Sequence, residues 1–226
     1  MSDRPTALIT GASRGIGAAV AATLADTHDL LLGGRDEQAL AEVAAGLPSA
    51  QPWPVELTDP AAVEAAAGSI ERLDVLVHSA GIVRLGALGD LTAADWRDSY
   101  EVNVIAVVEL TRLLLPALRA AAGHVVLINS GSGLNANPRW GAYAASKFAL
   151  RAYSDVLRAE EPTLRVTSIH PGRTATEMQR SVRTFEQGDF EPEKYMDPAS
   201  LAKVVHTAIT VPPDAHVHQV VIRQRS

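Results

Sequence analysis

Short uninterrupted apolar runs recur along the chain as TALIT (6–10), LLLGG (30–34), QPWPVEL (51–57), LDVLVHSAG (73–81), HVVLINSG (124–131), RVTSIHPG (165–172) and HVHQVVIR (216–223). Between them lie longer alanine- and leucine-rich segments with helical spacing, around 15–26, 36–46, 60–71, 92–121, 141–161 and 198–209. The pattern predicts seven strands alternating with six helices. Runs with no polar alternation suit strands covered on both faces, and strand-helix-strand units close with right-handed crossovers. The expected fold is therefore α/β, a parallel sheet between two helix layers. Ligands of such open sheets bind beyond the carboxyl ends of the strands, so the informative residues should follow the runs.

Composition narrows the function. At 226 residues, 47% of them apolar, the chain can bury one large core, and no linker-like stretch divides it, so one domain spanning 1–226 is expected. The net charge of -6 and the lack of a dense basic run argue against nucleic acid or an anionic membrane surface as a partner. There is no cysteine, which excludes disulfide and thiol chemistry. The opening residues MSDRPTALIT lack the basic start and long apolar core of a secretory signal, so a cytoplasmic location is expected. The most apolar helical tract, EVNVIAVVELTRLLLPALRAAA, carries Asn103, Glu109, Arg112 and Arg119 and suits a buried or interface helix rather than a membrane span.

Straight after the first strand comes TGASRGIG, where Gly11, Gly15 and Gly17 let the backbone turn tightly and approach a pyrophosphate at the N-terminus of the next helix. A second glycine-bearing turn, HSAG (78–81), follows the fourth strand, and the two outline opposite walls of a crevice. In WGAYAASKFALRAYSDVLRAEE, Tyr143 and Lys147 stand four residues apart, on adjoining turns of one helix face, in a chain with only three lysines (Lys147, Lys194, Lys203). An ammonium beside a phenol favours the phenolate, and a shift of one pKa unit needs only about 1.4 kcal/mol of differential interaction. A surface Tyr-Lys pair is the bland alternative.

These motifs, in this order, resemble the classical short-chain dehydrogenase/reductase family over essentially the whole chain. Its TGxxxGxG corresponds to Thr10, Gly11, Gly15 and Gly17; its NNAG turn to HSAG; its asparagine to Asn103; its serine to Ser130; its YxxxK to Tyr143 and Lys147; and its PGxxxT to PGRTAT (171–176). The resemblance implies a Rossmann-type doubly wound sheet of seven mainly parallel strands in the order 3-2-1-4-5-6-7. It also implies hydride transfer between nicotinamide C4 and a small carbonyl or alcohol substrate. Tyr143 would exchange the proton, Lys147 would tune it and hold the nicotinamide ribose, Ser130 would donate to the developing oxyanion, and Asn103 would hold a water linking Lys147 to solvent. Ser132 is an alternative donor to Ser130, and a strand-end cap or a satisfied core amide are the plainer roles for Ser130 and Asn103. The implied cofactor contacts are Gly11, Ser13, Arg14, Gly15, Ile16 and Gly17 in the first turn, Arg35, Glu56 and Leu57, then Ser79, Ala80 and Gly81, Tyr143 and Lys147, and finally Pro171, Gly172, Thr174 and Thr176.

In LLLGGRDEQAL, Gly34 occupies the place where NAD-binding relatives put a ribose-binding acid, and Arg35 follows it, with Arg14 able to reach the same phosphate. That favours NADP(H), with NAD(H) open if the strand runs on and Asp36 is the ribose acid rather than a helix N-cap. Glu56 stands where relatives carry an aspartate that meets the adenine amino group, and Ser79 replaces the second asparagine of NNAG, so one hydrogen bond bracing the central strands is in doubt. The resemblance makes EMQRSVRTFEQGDFEPEKYMD (177–197) a substrate lid with Gly188 as its hinge, and gives Ser132, Leu134, Trp140, Arg173 and Met178 as pocket candidates. It also implies a homodimer or homotetramer built on the helices 92–121 and 141–161. His78 reads as a packing residue; His216 and His218 alternate on the last strand with no further ligands nearby, so no metal is assigned. Two competing readings remain. A catalytically silent dinucleotide sensor would not need the complete acid-base set. A nucleotide-sugar epimerase would need a larger carboxyl-terminal domain.

Overall fold

A computed structural model describes residues 4–212 and 214–225. Its strands are β1 (Thr6–Thr10), β2 (Asp29–Gly34), β3 (Ala50–Pro54), β4 (Val75–His78), β5 (His124–Ile128), β6 (Arg165–Pro171) and β7 (Gln219–Ile222). They form one sheet in the order β3-β2-β1-β4-β5-β6-β7, and every pair is parallel. The helices are α1 (Gly15–Leu24), α2 (Glu37–Ala45), α3 (Pro60–Ala67), α4 (Ala93–Tyr100), α5 (Ala106–Ala121), α6 (Gly141–Glu160), α7 (Glu177–Phe185) and α8 (Pro198–Thr210).

Alternation along the strands explains why the apolar runs are unbroken. Ala7 and Ile9 of β1, Val75 and Val77 of β4, and Val126 and Ile128 of β5 face a core completed by α1, α2 and α8. Their neighbours Leu8, Leu76, Val125 and Leu127 face the other core, completed by α3, α5 and α6. Residues of these central strands thus meet a helix layer whichever way they point, while the edge strands β3 and β7 keep exposed positions. β3 carries Pro52 and Pro54 because it is an edge strand paired only to β2, where a missing N–H costs no ladder bond.

The single helix expected over 92–121 is three pieces. Thr92 caps α4 in a capping box with Asp95. Glu101–Ile105 then form a π-helical turn before α5 continues the path. The wider turn re-aims the face, so Asn103 points fully inward while Ile105 is exposed. Helical periodicity alone cannot show one turn with an extra residue. The expected last strand is also shorter at its start, so His216 and His218 precede β7 rather than alternate on it. No helix among the described residues is long and apolar enough to cross a membrane.

Two histidines under the sheet make the fold acid-sensitive. His78 is buried with its Nε2 2.9 Å from Thr111 Oγ1, and His124 is buried with its Nε2 2.8 Å from Thr167 Oγ1. Burial lowers both from 6.5 to about 3. The unfolded chain therefore binds more protons as pH falls below 6.5, and stability present above that pH is lost progressively down to about 3. At pH 5 each histidine costs about 2 kcal/mol relative to neutral pH. Urea unfolding of His78→Gln, which keeps a partner for Thr111, should accordingly lose about 2 kcal/mol less than the parent between pH 7 and pH 5. Parallel losses in the two proteins would show that His78 is not what titrates.

Candidate active site

The β1–α1 turn is bare backbone by necessity. Gly11 (φ +66) and Gly15 (φ +57) occupy the left-handed region, and a Cβ at Gly17 would stand 2.2 Å from the Gly11 carbonyl oxygen. A Cβ at Gly11 would come within 2.9 Å of Ala80 backbone atoms, so this turn and the HSAG turn touch. Thr10 joins them: its hydroxyl accepts hydrogen bonds from Ser79 N (3.1 Å) and Ala80 N (3.2 Å). The brace that Ser79 left in doubt is thus supplied from β1. Thr176 closes the far side, its Cγ2 3.3 Å from where a Cβ of Gly15 would lie. Ser13 and Ile16 are half-buried, and Arg14 is exposed at the N-cap of α1.

Tyr143 and Lys147 sit in the first two turns of α6, 6% and 4% exposed, against the end of β5. Lys147 Nζ donates to the Ile128 carbonyl at 3.1 Å and lies 5.9 Å from the centre of the Tyr143 ring, whose other neighbour is the edge-on Trp140 at 5.8 Å. The pair is no surface accident. Its electrostatics differ from the sequence expectation, however. Burial raises the Tyr143 phenol, with a smaller opposing pull from the Ser130 hydroxyl, and burial lowers Lys147 to about 8. Desolvation disfavours the charged form of each group.

Ser130 Oγ accepts from Ser132 N at 3.0 Å as a strand-end cap, and it also faces the Tyr143 phenol. Its carbonyl meets His170 Nδ1 at 3.0 Å. Asn103 is fully buried, with Oδ1 accepting from Ile82 N (2.9 Å) and Nδ2 donating to Ile82 O (3.0 Å) and Ser146 Oγ (3.0 Å). Both amide hydrogens are used, so the side chain braces the β4 turn against α6 and cannot donate to a water. The plainer role, a satisfied core amide, is what its contacts describe.

At the other end of the crevice, β2 stops at Gly34, and Asp36 caps α2 by accepting from Ala39 N at 3.0 Å. Asp36 is thus the N-cap of α2, and Arg35 projects beyond the strand. Its guanidinium lies 3.5 Å from Glu56, with the two side chains 75% and 43% exposed. Glu56 also accepts from Thr58 N (3.2 Å) and Thr58 Oγ1 (2.9 Å), contacts that hold its carboxyl below the usual carboxylate range despite the cost of burial. Leu57 is half-buried beside it.

A cleft of about 690 Å³ runs along the strand ends and is lined by Ile16, Ser79, Gly81, Tyr143, Lys147, Pro171, Gly172, Thr174 and Thr176 from the expected cofactor set and by the expected catalytic Ser130. Gly11, Ser13, Arg14, Gly15, Gly17, Arg35, Glu56, Leu57 and Ala80 lie outside that lining. Of the pocket candidates, Ser132, Trp140, Arg173 and Met178 line the cleft and Leu134 does not. The sequence reading missed Asn129, Gln179, Arg223 and Gln224, which also line it. The rule that sites gather after each strand would have pointed to the last two, since they directly follow β7.

The segment 177–197 is more ordered than a loop. Thr176 caps α7, and Glu186 at its end pairs with both Arg173 and Arg183. Arg139 lies over the Phe185 ring at 4.2 Å, and Met196 O accepts from Ala175 N at 2.8 Å. Gly188 lies against the guanidinium of Arg183, the mobile end of a long side chain.

The family model for short chain dehydrogenases matches residues 5–187. An oxidoreductase of Staphylococcus saprophyticus is 31% identical, with 96% of each chain covered. An alcohol dehydrogenase of the archaeon Thermococcus sibiricus, solved with 5-hydroxy-NADP, superposes with a TM-score of 0.89 at 26% identity, over 99% of each chain. A chain described as a short-chain dehydrogenase of Shigella flexneri, solved with NADP, gives a TM-score of 0.89 at 30% identity over 99% of this chain and 97% of that one.

Proposed function

The chain belongs to the short-chain dehydrogenase/reductase family, and from that premise we propose that it is an NADP(H)-dependent enzyme acting on a carbonyl or alcohol substrate, with Tyr143 as its general acid and base. The observation that carries this reading is the buried Tyr143–Lys147 pair opening on a cleft that Ile16 of the glycine turn also lines.

The residues fit the dinucleotide. Gly11, Gly15 and Gly17 leave a cradle that a Cβ would fill or distort, and the N-terminus of α1 points its free N–H groups toward it. When bound, the nicotinamide supplies or accepts the hydride. The remaining work belongs to the chain. Tyr143, held protonated by burial, delivers its proton to the carbonyl oxygen in reduction and recovers it in the reverse direction. Ser130 steadies that oxygen with a hydrogen bond, and Lys147, anchored on Ile128 O, keeps a positive charge beside the phenol below about pH 8. The segment 177–197 acts as a lid over substrate on a single domain, its α7 excluding water from the cleft.

The preference for NADP rests on Arg35. It extends past Gly34 with no acid on the strand end, and Asp36 is the N-cap of α2. Two structural relatives were solved with NADP or a derivative of it. Arg35→Ser should raise KM for NADPH about tenfold while leaving KM for NADH nearly unchanged, since one charge-assisted contact to phosphate is worth roughly 1.5–3 kcal/mol. Equal changes for both cofactors would remove the 2'-phosphate assignment.

A further inference from the structure

Among its charged lining residues the cleft holds Lys147, Arg173 and Arg223 and no aspartate or glutamate, in a protein of net charge -6. Two of the three are already spoken for. Lys147 is buried against Ile128 O, and Arg173 is neutralised by Glu186. Arg223 is different. Its Nη1 donates to the carbonyls of His170 (2.8 Å) and Ile222 (3.2 Å), and no carboxylate pairs with it among the described residues.

The position of this guanidinium is specific. Its Nη2 would lie 2.9 Å from a Cβ built on Gly131, the residue after Ser130, and its Cδ 3.1 Å from one built on Gly172. Two glycines therefore leave the channel in which the Arg223 side chain runs from the end of β7 toward the catalytic serine. His170 completes the link, since its carbonyl accepts from Arg223 and its ring meets the carbonyl of Ser130. The sheet order puts β7 at the opposite edge from β2 and β3, so Arg223 lies on the far side of the cleft from the turn that would take the pyrophosphate and from Arg35.

We propose that Arg223 is a specificity residue that receives an anionic group of the substrate, making this a reductase of carbonyl compounds that carry a carboxylate or phosphate. The inference rests on the oxidoreductase reading above. A guanidinium anchored at one nitrogen keeps its other N–H groups available for a fork-like grip on two oxygens, and no carboxylate lines the cleft to compete for them, although Glu193 and Asp197 line a second pocket that Arg223 also borders. Asn135, Asn137 and Gln224 make the same end of the cleft polar rather than greasy.

The test compares straight-chain oxo acids, their methyl esters and oxoalkyl phosphates as substrates of the full chain with NADPH at low ionic strength. In the parent protein kcat/KM should favour the acid over its ester by about 30-fold. In Arg223→Gln that ratio should fall to about one, through KM rather than kcat, with Arg223→Lys intermediate. Whichever anionic series gives the larger ratio identifies the group. Esters that match their acids in the parent protein, or an acid-over-ester ratio that survives Arg223→Gln, would overturn the proposal. If no compound in any series turns over, the oxidoreductase reading fails on its own. The anion site is then judged by calorimetric titration of the same carboxylates. Binding in the parent and not in Arg223→Gln upholds it, and equal heats in both overturn it.

Discussion

Tyr143→Phe should lower turnover of any accepted carbonyl by about 10³-fold while leaving the dissociation constant for NADPH within about twofold. The substitution removes one oxygen and keeps the ring, so the edge-on contact with Trp140 and the packing of α6 on β5 persist. What is lost is the proton source. Burial raises the phenol above its usual value, so at neutral pH the group is almost wholly in the acid form that carbonyl reduction consumes. The reverse reaction needs the phenolate, which the same burial disfavours, and alcohol oxidation should therefore gain on reduction as pH rises. Single-turnover absorbance at 340 nm measures the chemical step, and fluorescence titration measures binding. A variant that turns over at the parent rate would remove Tyr143 from the chemistry. A parent that binds NADPH but reduces no aldehyde, ketone or quinone would shift the reading to a sensor.

Much of this architecture was legible because its signals are local. The apolar runs are continuous where the strands are covered on both faces, as with Leu8 and Ile9 pointing to opposite cores. The glycine turn, the serine after β5 and the Tyr143–Lys147 pair are each marked by short local motifs, and the fold brings Ile16 of the turn, Ser130, Tyr143 and Lys147 to one cleft. What the sequence withheld depends on three-dimensional contact. The role of Asn103 turns on a π-helical turn that redirects one residue, and no periodicity registers a single wider turn. The direction of the pKa shifts depends on burial depth, which spacing cannot report: a lysine four residues from a tyrosine reads as a tuning charge, yet both groups lie under the surface and desolvation dominates. Arg223 was missed for a third reason, although the rule that sites follow the strands would have pointed to it. It is about 80 residues beyond Tyr143 in the chain, and only the sheet order, which lays β7 beside β6, returns it to the Ser130 side of the cleft.

Gly17→Ala should raise the dissociation constant for NADPH at least 100-fold and lower the midpoint of thermal unfolding by several degrees. The added methyl would stand 2.2 Å from the Gly11 oxygen and 2.7 Å from its carbonyl carbon. Both are backbone atoms of a turn that is itself locked against Ala80, so nothing nearby can yield by a rotamer change. The first turn of α1 must therefore move away from β1, and the N–H groups that face the pyrophosphate move with it. Gly15→Ala provides the contrast. Its Cβ meets only the methyl of Thr176 at 3.3 Å, and its penalty is mainly the positive φ of +57, worth about 1–2 kcal/mol in a non-glycine residue. That change should weaken NADPH binding about tenfold, by strain alone, with the helix left in register. The ordering of the two variants is the discriminating result. If Gly17→Ala binds as well as Gly15→Ala, close approach of bare backbone at α1 is not what holds the cofactor, and the glycine spacing that first marked this chain has only a conformational meaning.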